Sequence, residues 1–176
     1  MKTLLFFAAI YLGFSHFSQA GPDLPLEARF KRSEKVMLAH VVSVKEHTVI
    51  FRRTELLRGD IAAEITLSLS EGMEWVLSKG TSDKDFLLFS QGDARYGPPL
   101  AVLDATMDGQ GVFRGWMVFP IRTEGDTVYV VGTHSIVDGK YVTDGKTDDG
   151  YNKLSLVRVK RLLETFSYDP HVNDKR

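Results

Sequence analysis

The chain contains no cysteine. That absence excludes thiol nucleophiles, Cys-ligated zinc, iron–sulfur clusters, covalent haem attachment and disulfides. It also closes the lipoprotein route, which needs a thiol to carry the lipid. No Asn-x-Ser/Thr triplet occurs, so there is no acceptor for an N-glycan. Catalytic signatures are missing as well. His40, His47, His134 and His171 form no HExxH, and no serine stands in GxSxG. Gly145-Lys146-Thr147 has the ending of a phosphate loop, but Lys140 occupies the place of its first glycine. Gly109-x-Gly111 lacks the third glycine of a dinucleotide loop, since Arg114 stands at that spacing. An excess of either charge is lacking too, with 22 Lys and Arg against 23 Asp and Glu. A nucleic-acid clamp needs a basic face, and none is evident here.

What is present begins with residues 1–20. Lys2 is followed by an apolar run from Leu4 to Phe14 and a small-x-small ending, Ser18-Gln19-Ala20. This is the three-part layout of a secretory signal peptide. The run is interrupted at Ser15 and His16, short of the roughly 20 apolar residues a spanning helix needs. Cleavage after Ala20 is therefore expected, leaving no membrane span and a periplasmic or secreted protein. Removing 20 of the 176 residues leaves 156, a single-domain length. A chain of that size buries enough surface to fold without disulfides. Lack of cysteine and of glycan acceptors suits a bacterial envelope or secreted protein.

The mature chain reads as strands separated by turns. Residues 26–33 suit a short helix, with Leu26 and Phe30 inward and the Arg29 stem packed beside them. Residues 36–44 and 47–57 read as strands, the second closed by Arg58-Gly59-Asp60. Ile65, Leu67 and Leu69 alternate with Thr66 and Ser68, the period of a half-buried strand. Residues 86–90 (FLLFS) are short and apolar enough to be central. Residues 91–99 read as loop. Residues 113–121 and 127–131 pair through Glu124-Gly125-Asp126. Residues 138–150, rich in Asp and Gly, read as a polar loop. Ser155 then caps an amphipathic helix, residues 155–166, with Leu156, Val159, Leu162, Leu163 and Phe166 on one side. The domain is expected to span residues 21–167, followed by a frayed tail, 168–176. Five to seven short strands and one strong helix predict a mainly β fold: an OB-like antiparallel β-barrel with a C-terminal α-helix.

The middle of the chain carries a resemblance. Val41-Val42-Ser43-Val44 ends one strand and Glu55-Leu56-Leu57-Arg58-Gly59-Asp60 closes the next. Ile65-Thr66-Leu67 and Asp85-Phe86-Leu87-Leu88-Phe89 follow. This order resembles the netrin-like domain, the OB-fold barrel shared with tissue inhibitors of metalloproteinases and found in exported bacterial proteins. The resemblance covers residues 36–89, about a third of the mature chain. It implies a barrel with a helix packed against it, and a binding module in place of an enzyme. Those inhibitors chelate protease zinc through an N-terminal cysteine. Here the mature start is Gly21-Pro22, so that mechanism has no chemical basis. Arg53 also departs from the pattern, standing where an inward apolar residue belongs beside Phe51. Either the strand carries a bulge there, the more ordinary explanation, or Arg53 lines something polar.

Candidate site residues are few. Trp75 and Tyr96 stand in loop-like stretches and could present aromatic surface to a partner. Trp116 suits core packing. His134, flanked by Thr133 and Ser135, reads as exposed and could join Asp138 in a site. His40 reads as a satisfied histidine in the core or barrel wall. Asp144, Asp148 and Asp149 could gather calcium oxygens, but an EF-hand starting at Asp144 needs glycine at 149 and glutamate at 155. A solvated turn is the expectation, with no metal and no cofactor. The function expected is a non-catalytic module that binds a protein partner, using Trp75, Tyr96 and His134. The alternatives are an envelope-polymer hydrolase built on His134 and Asp138 or on His40, and a peptidase inhibitor acting through its loops.

Overall fold

In the computed structural model the described residues are 24–69, 84–93, 101–107 and 113–172. Residues 1–20 lie outside them. The chain enters through helix α1 (Leu26–Arg32) and then lays down β1 (Val36–Lys45), β2 (Thr48–Arg58) and β3 (Glu64–Ser68) as consecutive antiparallel strands. β4 (Asp85–Asp93) returns to pair with β1, which makes β1 and β4 central. β6 (Phe113–Glu124) is the long strand of the molecule. One edge pairs with β4; the other pairs first with β5 (Ala101–Met107) and then with β7 (Thr127–Val131). Pro120, which has no N–H to donate, stands where β6 changes partner. β8 (Ser135–Val137) and β9 (Lys140–Val142) form a separate two-stranded sheet. β10 (Gly145–Lys146) and β11 (Asn152–Ser155) extend the main sheet beyond β7, and α2 (Leu156–Thr165) follows.

The fold is thus mainly β, antiparallel, with a C-terminal helix. The sheet curls until β3 and β5 approach each other. It does not close: among the described residues no ladder joins those two strands.

β1 and β4 have both faces covered, which is why VMLA and FLLF carry no polar alternation. One face, with Met37, Ala39, Phe86 and Leu88, packs inside the curl against Val49, Phe51, Leu67, Leu103 and Val118. The other, with Val36, Leu38, Leu87 and Phe89, packs with Phe119, Val130 and Leu154 under Leu26 and Phe30 of α1 and Val159 and Leu163 of α2. Arg29 is buried there. Its guanidinium lies 5.1 Å from the Phe119 ring centroid, and its Nε donates to the Leu24 carbonyl at 3.0 Å.

Arg58 ties the helices to the sheet. Its guanidinium donates to the carbonyls of Phe30, Ser33 (3.2 Å), Leu163 (3.1 Å) and Phe166. These are the acceptors that the C-terminal ends of two helices leave without intrahelical donors. Burial pulls the Arg58 pKa below the ordinary guanidinium value. The four carbonyls replace part of the water it has lost. Gly59, next in sequence, sits at φ +73°, and a Cβ there would lie 2.7 Å from the Glu34 carbonyl oxygen. Both the turn and the close approach require glycine.

Several sequence expectations change. The strands number eleven among the described residues, not five to seven. β4 runs on to Asp93, so residues 91–93 are strand, not loop. Residues 138–150 hold the β8–β9 turn, β9 and β10, and two of their four aspartates are engaged. Asp144 accepts the Ser155 N–H at 2.7 Å and pairs with Arg158 at 2.6 Å. Asp149 accepts from Arg122 at 3.0 Å and from the Thr147 hydroxyl. The tail is docked at its start, since the Asp169 N–H donates to the Lys31 carbonyl at 2.8 Å. The bulge expected near Arg53 falls at the next residue: Leu38 faces Glu55 while Ala39 faces Arg53, which leaves Thr54 as the extra residue. Arg53 turns its guanidinium onto the Ile61 carbonyl and seals that end of the curled core.

Candidate functional site

The residues singled out from the sequence are scattered. Trp75 and Tyr96 lie outside the described residues. His134 is buried, with 3 % of its surface exposed. Its ring meets Tyr141 edge to face at 4.7 Å, and its carbonyl accepts the Leu26 N–H at 3.0 Å. The expectation that it is exposed fails because β8–β9 folds back over it and α1 starts beside it. Asp138 occupies the exposed turn of that hairpin. Asp138 at φ +49° and Gly139 at φ +71° make the two-residue turn with positive φ at both positions that strand twist favours. The pair is therefore split, with the imidazole packed under the hairpin and the carboxylate at its tip.

His40 is satisfied, as expected, but at the surface. Its Nδ1 lies 2.8 Å from Asp85 Oδ1 on β4, and both side chains are about half exposed. Across the sheet the row continues, with Arg52 opposite His40 and Glu64 opposite Arg52. Arg52 bonds Glu64 at 2.9 Å. Asp85, His40, Arg52 and Glu64 thus form a polar row across four strands, with a carboxylate at each end. Such exposed pairs contribute a few tenths of a kcal/mol each, and the row keeps an exposed stretch of sheet polar.

A cleft absent from the sequence reading lies at the end of the curled core, with a volume of about 450 Å³. Two irregular registers border it. The β4–β6 ladder shifts between Phe89 and Gly92, and the β5–β6 ladder between Leu103 and Thr106. Bulges bend strands and re-aim side chains, and they concentrate beside binding sites. Asp104 sits in the second irregularity at φ +53°, a conformation Asp tolerates better than most residues but still at a cost. Asp104 and Thr106 of β5 and Gly115 and Trp116 of β6 form one wall. Glu34 and Lys35, between α1 and β1, form the other with Ser90 of β4.

The Lys35–Ser90 contact is doubled. The Lys35 N–H donates to Ser90 Oγ and the Ser90 N–H donates to the Lys35 carbonyl, each at 2.9 Å. Ser90 is 7 % exposed, so its hydroxyl is held by the backbone opposite. Trp116 is partly buried and packs its inner side on the curled core. Sequence reasoning missed Asp104 and Thr106 because LDAT between two turn-rich stretches carries no strand period. Gly92 and Gly115, which face each other across β4 and β6, were the available hint of a break.

Among the described residues no group of three or more His, Asp or Glu side chains is arranged to hold a metal ion. Among them, too, no helix is long and apolar enough to cross a membrane, a statement that does not extend to strands. No protein-family model, no curated protein and no solved structure matches this chain.

Proposed function

We propose that the chain is an exported, non-catalytic module that binds a protein partner, built on an OB-like curled sheet of netrin-like type. The observation that carries the binding reading is the β8–β9 hairpin. It stands apart from the main sheet and exposes Ile136 (40 %), Val137 (53 %) and Tyr141 (67 %) within six residues. Ile136 and Tyr141 are cross-strand neighbours on one face, with Val137 on the other, and exposed apolar side chains gathered on one hairpin mark a contact surface. The hairpin is also firmly mounted. His134 supports Tyr141 from below, and Glu27 of α1 accepts the Ile136 N–H at 3.2 Å. A rigid mount lowers the entropy lost on binding. The OB-like reading is supported by the curl that brings β3 towards β5, by β1 and β4 at its centre and by the helix packed on its outer face.

The hydrolase alternative draws no support from the split between His134 and Asp138. The test is site-specific photo-crosslinking from position 137 in cells producing the full chain. One discrete protein adduct is expected, with its yield reduced at least tenfold by Tyr141→Asp at unchanged thermal stability. Scattered adducts, or a yield indifferent to Tyr141→Asp, would refute the assignment. An adduct with a peptidase would turn the reading towards the inhibitor alternative.

A further inference from the structure

The cleft at the end of the curled core is separate from the hairpin and has its own chemistry. Ligand pockets of roughly 300–1,000 Å³ combine apolar lining with a few fixed polar groups. At about 450 Å³, with the Trp116 ring on one wall, this cleft fits that description. Its polar groups are of mixed kind. Glu34 and Asp104 offer carboxylates that, among the described residues, no salt bridge engages. Lys35 offers an ammonium donor. Ser90 Oγ accepts the Lys35 N–H, so its own proton is directed away from that bond.

Among the described lining residues, two carboxylates against one ammonium disfavour an anionic ligand, and that ammonium argues against a simple cation cage. Donors and acceptors alternating beside an indole suit a neutral ring that carries hydroxyls. A carboxylate accepts from two neighbouring hydroxyls, the ammonium donates to ring or hydroxyl oxygens, and the indole face covers the apolar C–H side of the ring. We propose that this cleft is a saccharide-binding site for an uncharged hexose unit, with Trp116 as the stacking surface and Asp104 and Glu34 as acceptors. The positive φ of Asp104 has a role in this arrangement, because the register break it occupies sets its carboxylate on the cleft wall.

The chain has two tryptophans, so a Trp75→Phe protein reports on Trp116 alone. It is titrated with maltotriose, cellotriose and the trimer of N-acetylglucosamine, and separately with a trigalacturonate and with spermidine. A saturable change in Trp116 fluorescence is expected with at least one neutral sugar, insensitive to salt. Asp104→Asn and Glu34→Gln, each made in that background, should weaken it at least tenfold. Asn tolerates the same backbone conformation, and Glu34 is exposed, so both variants retain the fold. A flat response to all three neutral sugars overturns the proposal. So does an affinity unchanged in both variants, or a salt-sensitive response to spermidine or the uronate alone.

Discussion

On the helix-covered face of the sheet, Phe30, Phe89 and Phe119 meet in a continuous row, the first pair tilted and the second edge to face, with ring centroids 5.4 and 5.5 Å apart. Both helices close over it, and Arg58 ties their last carbonyls to β2. On the curled face Phe51 and Phe86 meet edge to face at 6.0 Å, and the core then runs out at Trp116 into a polar cleft. The strands β1 and β4 are shared by the two faces, so strand composition does not explain the difference. What differs is how each core ends. One is closed by helices and the half-buried Arg58 guanidinium; the other ends at two register breaks and a residue at positive φ. Helices cover the first core, and the recognition chemistry we propose sits where the ladders lose register.

The comparison is broken most severely by removing the middle ring of the sealed core. Phe89→Ala deletes a fully buried side chain between Phe30 and Phe119 and should destabilise the fold by about 3–5 kcal/mol, read by urea denaturation. A loss below about 1 kcal/mol would mean that the helices are not the main seal. Arg58→Ala should follow at about 2–3 kcal/mol, because buried carbonyls at two helix ends lose their donor. Arg58→Lys should recover little of it, since an ammonium cannot span four acceptors in a planar fork. Amide exchange should rise first in α2 and the end of α1.

At the boundary between the two regions, Gly59→Ala combines a positive φ with a clash against the Glu34 carbonyl and should cost about 1–3 kcal/mol. It should also displace Glu34 and Lys35 and so weaken the cleft. Asp104→Gly sharpens the contrast from the other side. Glycine relieves the backbone at φ +53° and gives up some unfolded-state restriction, for a net change within about 1 kcal/mol of zero. Stability should hold while sugar binding falls, which separates the cleft from the fold.

The sealed region was largely legible in the sequence. Leu26, Phe30 and the Arg29 stem in a short helix, the central FLLF strand and the Val159–Leu163 helix face all follow from period and composition, because burial against regular neighbours leaves a period behind. The cleft was not legible. Bulges abolish the period that strand reading depends on, so β5 vanished as a pattern together with Asp104, and Ser90 looked like a strand end. The hairpin was an avoidable loss. Asp138-Gly139 between Ile136-Val137 and Tyr141-Val142 is a strong turn signal, obscured by the glycines and aspartates around it. Nothing in spacing alone placed His134 beneath that hairpin. Its burial depends on the distant α1, whose first N–H bonds its carbonyl.

The smallest effect expected is electrostatic and lies at the far end of β6, away from the cleft. The Thr147 hydroxyl, followed by Arg122, holds the Asp149 carboxyl below its ordinary pKa of 3.8. A carboxylate depressed in the folded state contributes stability above its unfolded pKa and loses it as pH falls through the folded value. The group is largely exposed, so solvent screening keeps the contribution under about 1 kcal/mol. Asp149→Asn should therefore be slightly less stable than the parent at pH 7, with the gap closing as pH drops below 3.8. Thermal melts at pH 7, 5 and 3 read it directly. A gap that persists undiminished at low pH would assign the effect to lost packing around Thr147. A gap that widens in acid would reverse the sign and place the ionised carboxylate among the destabilising groups of this end of the sheet.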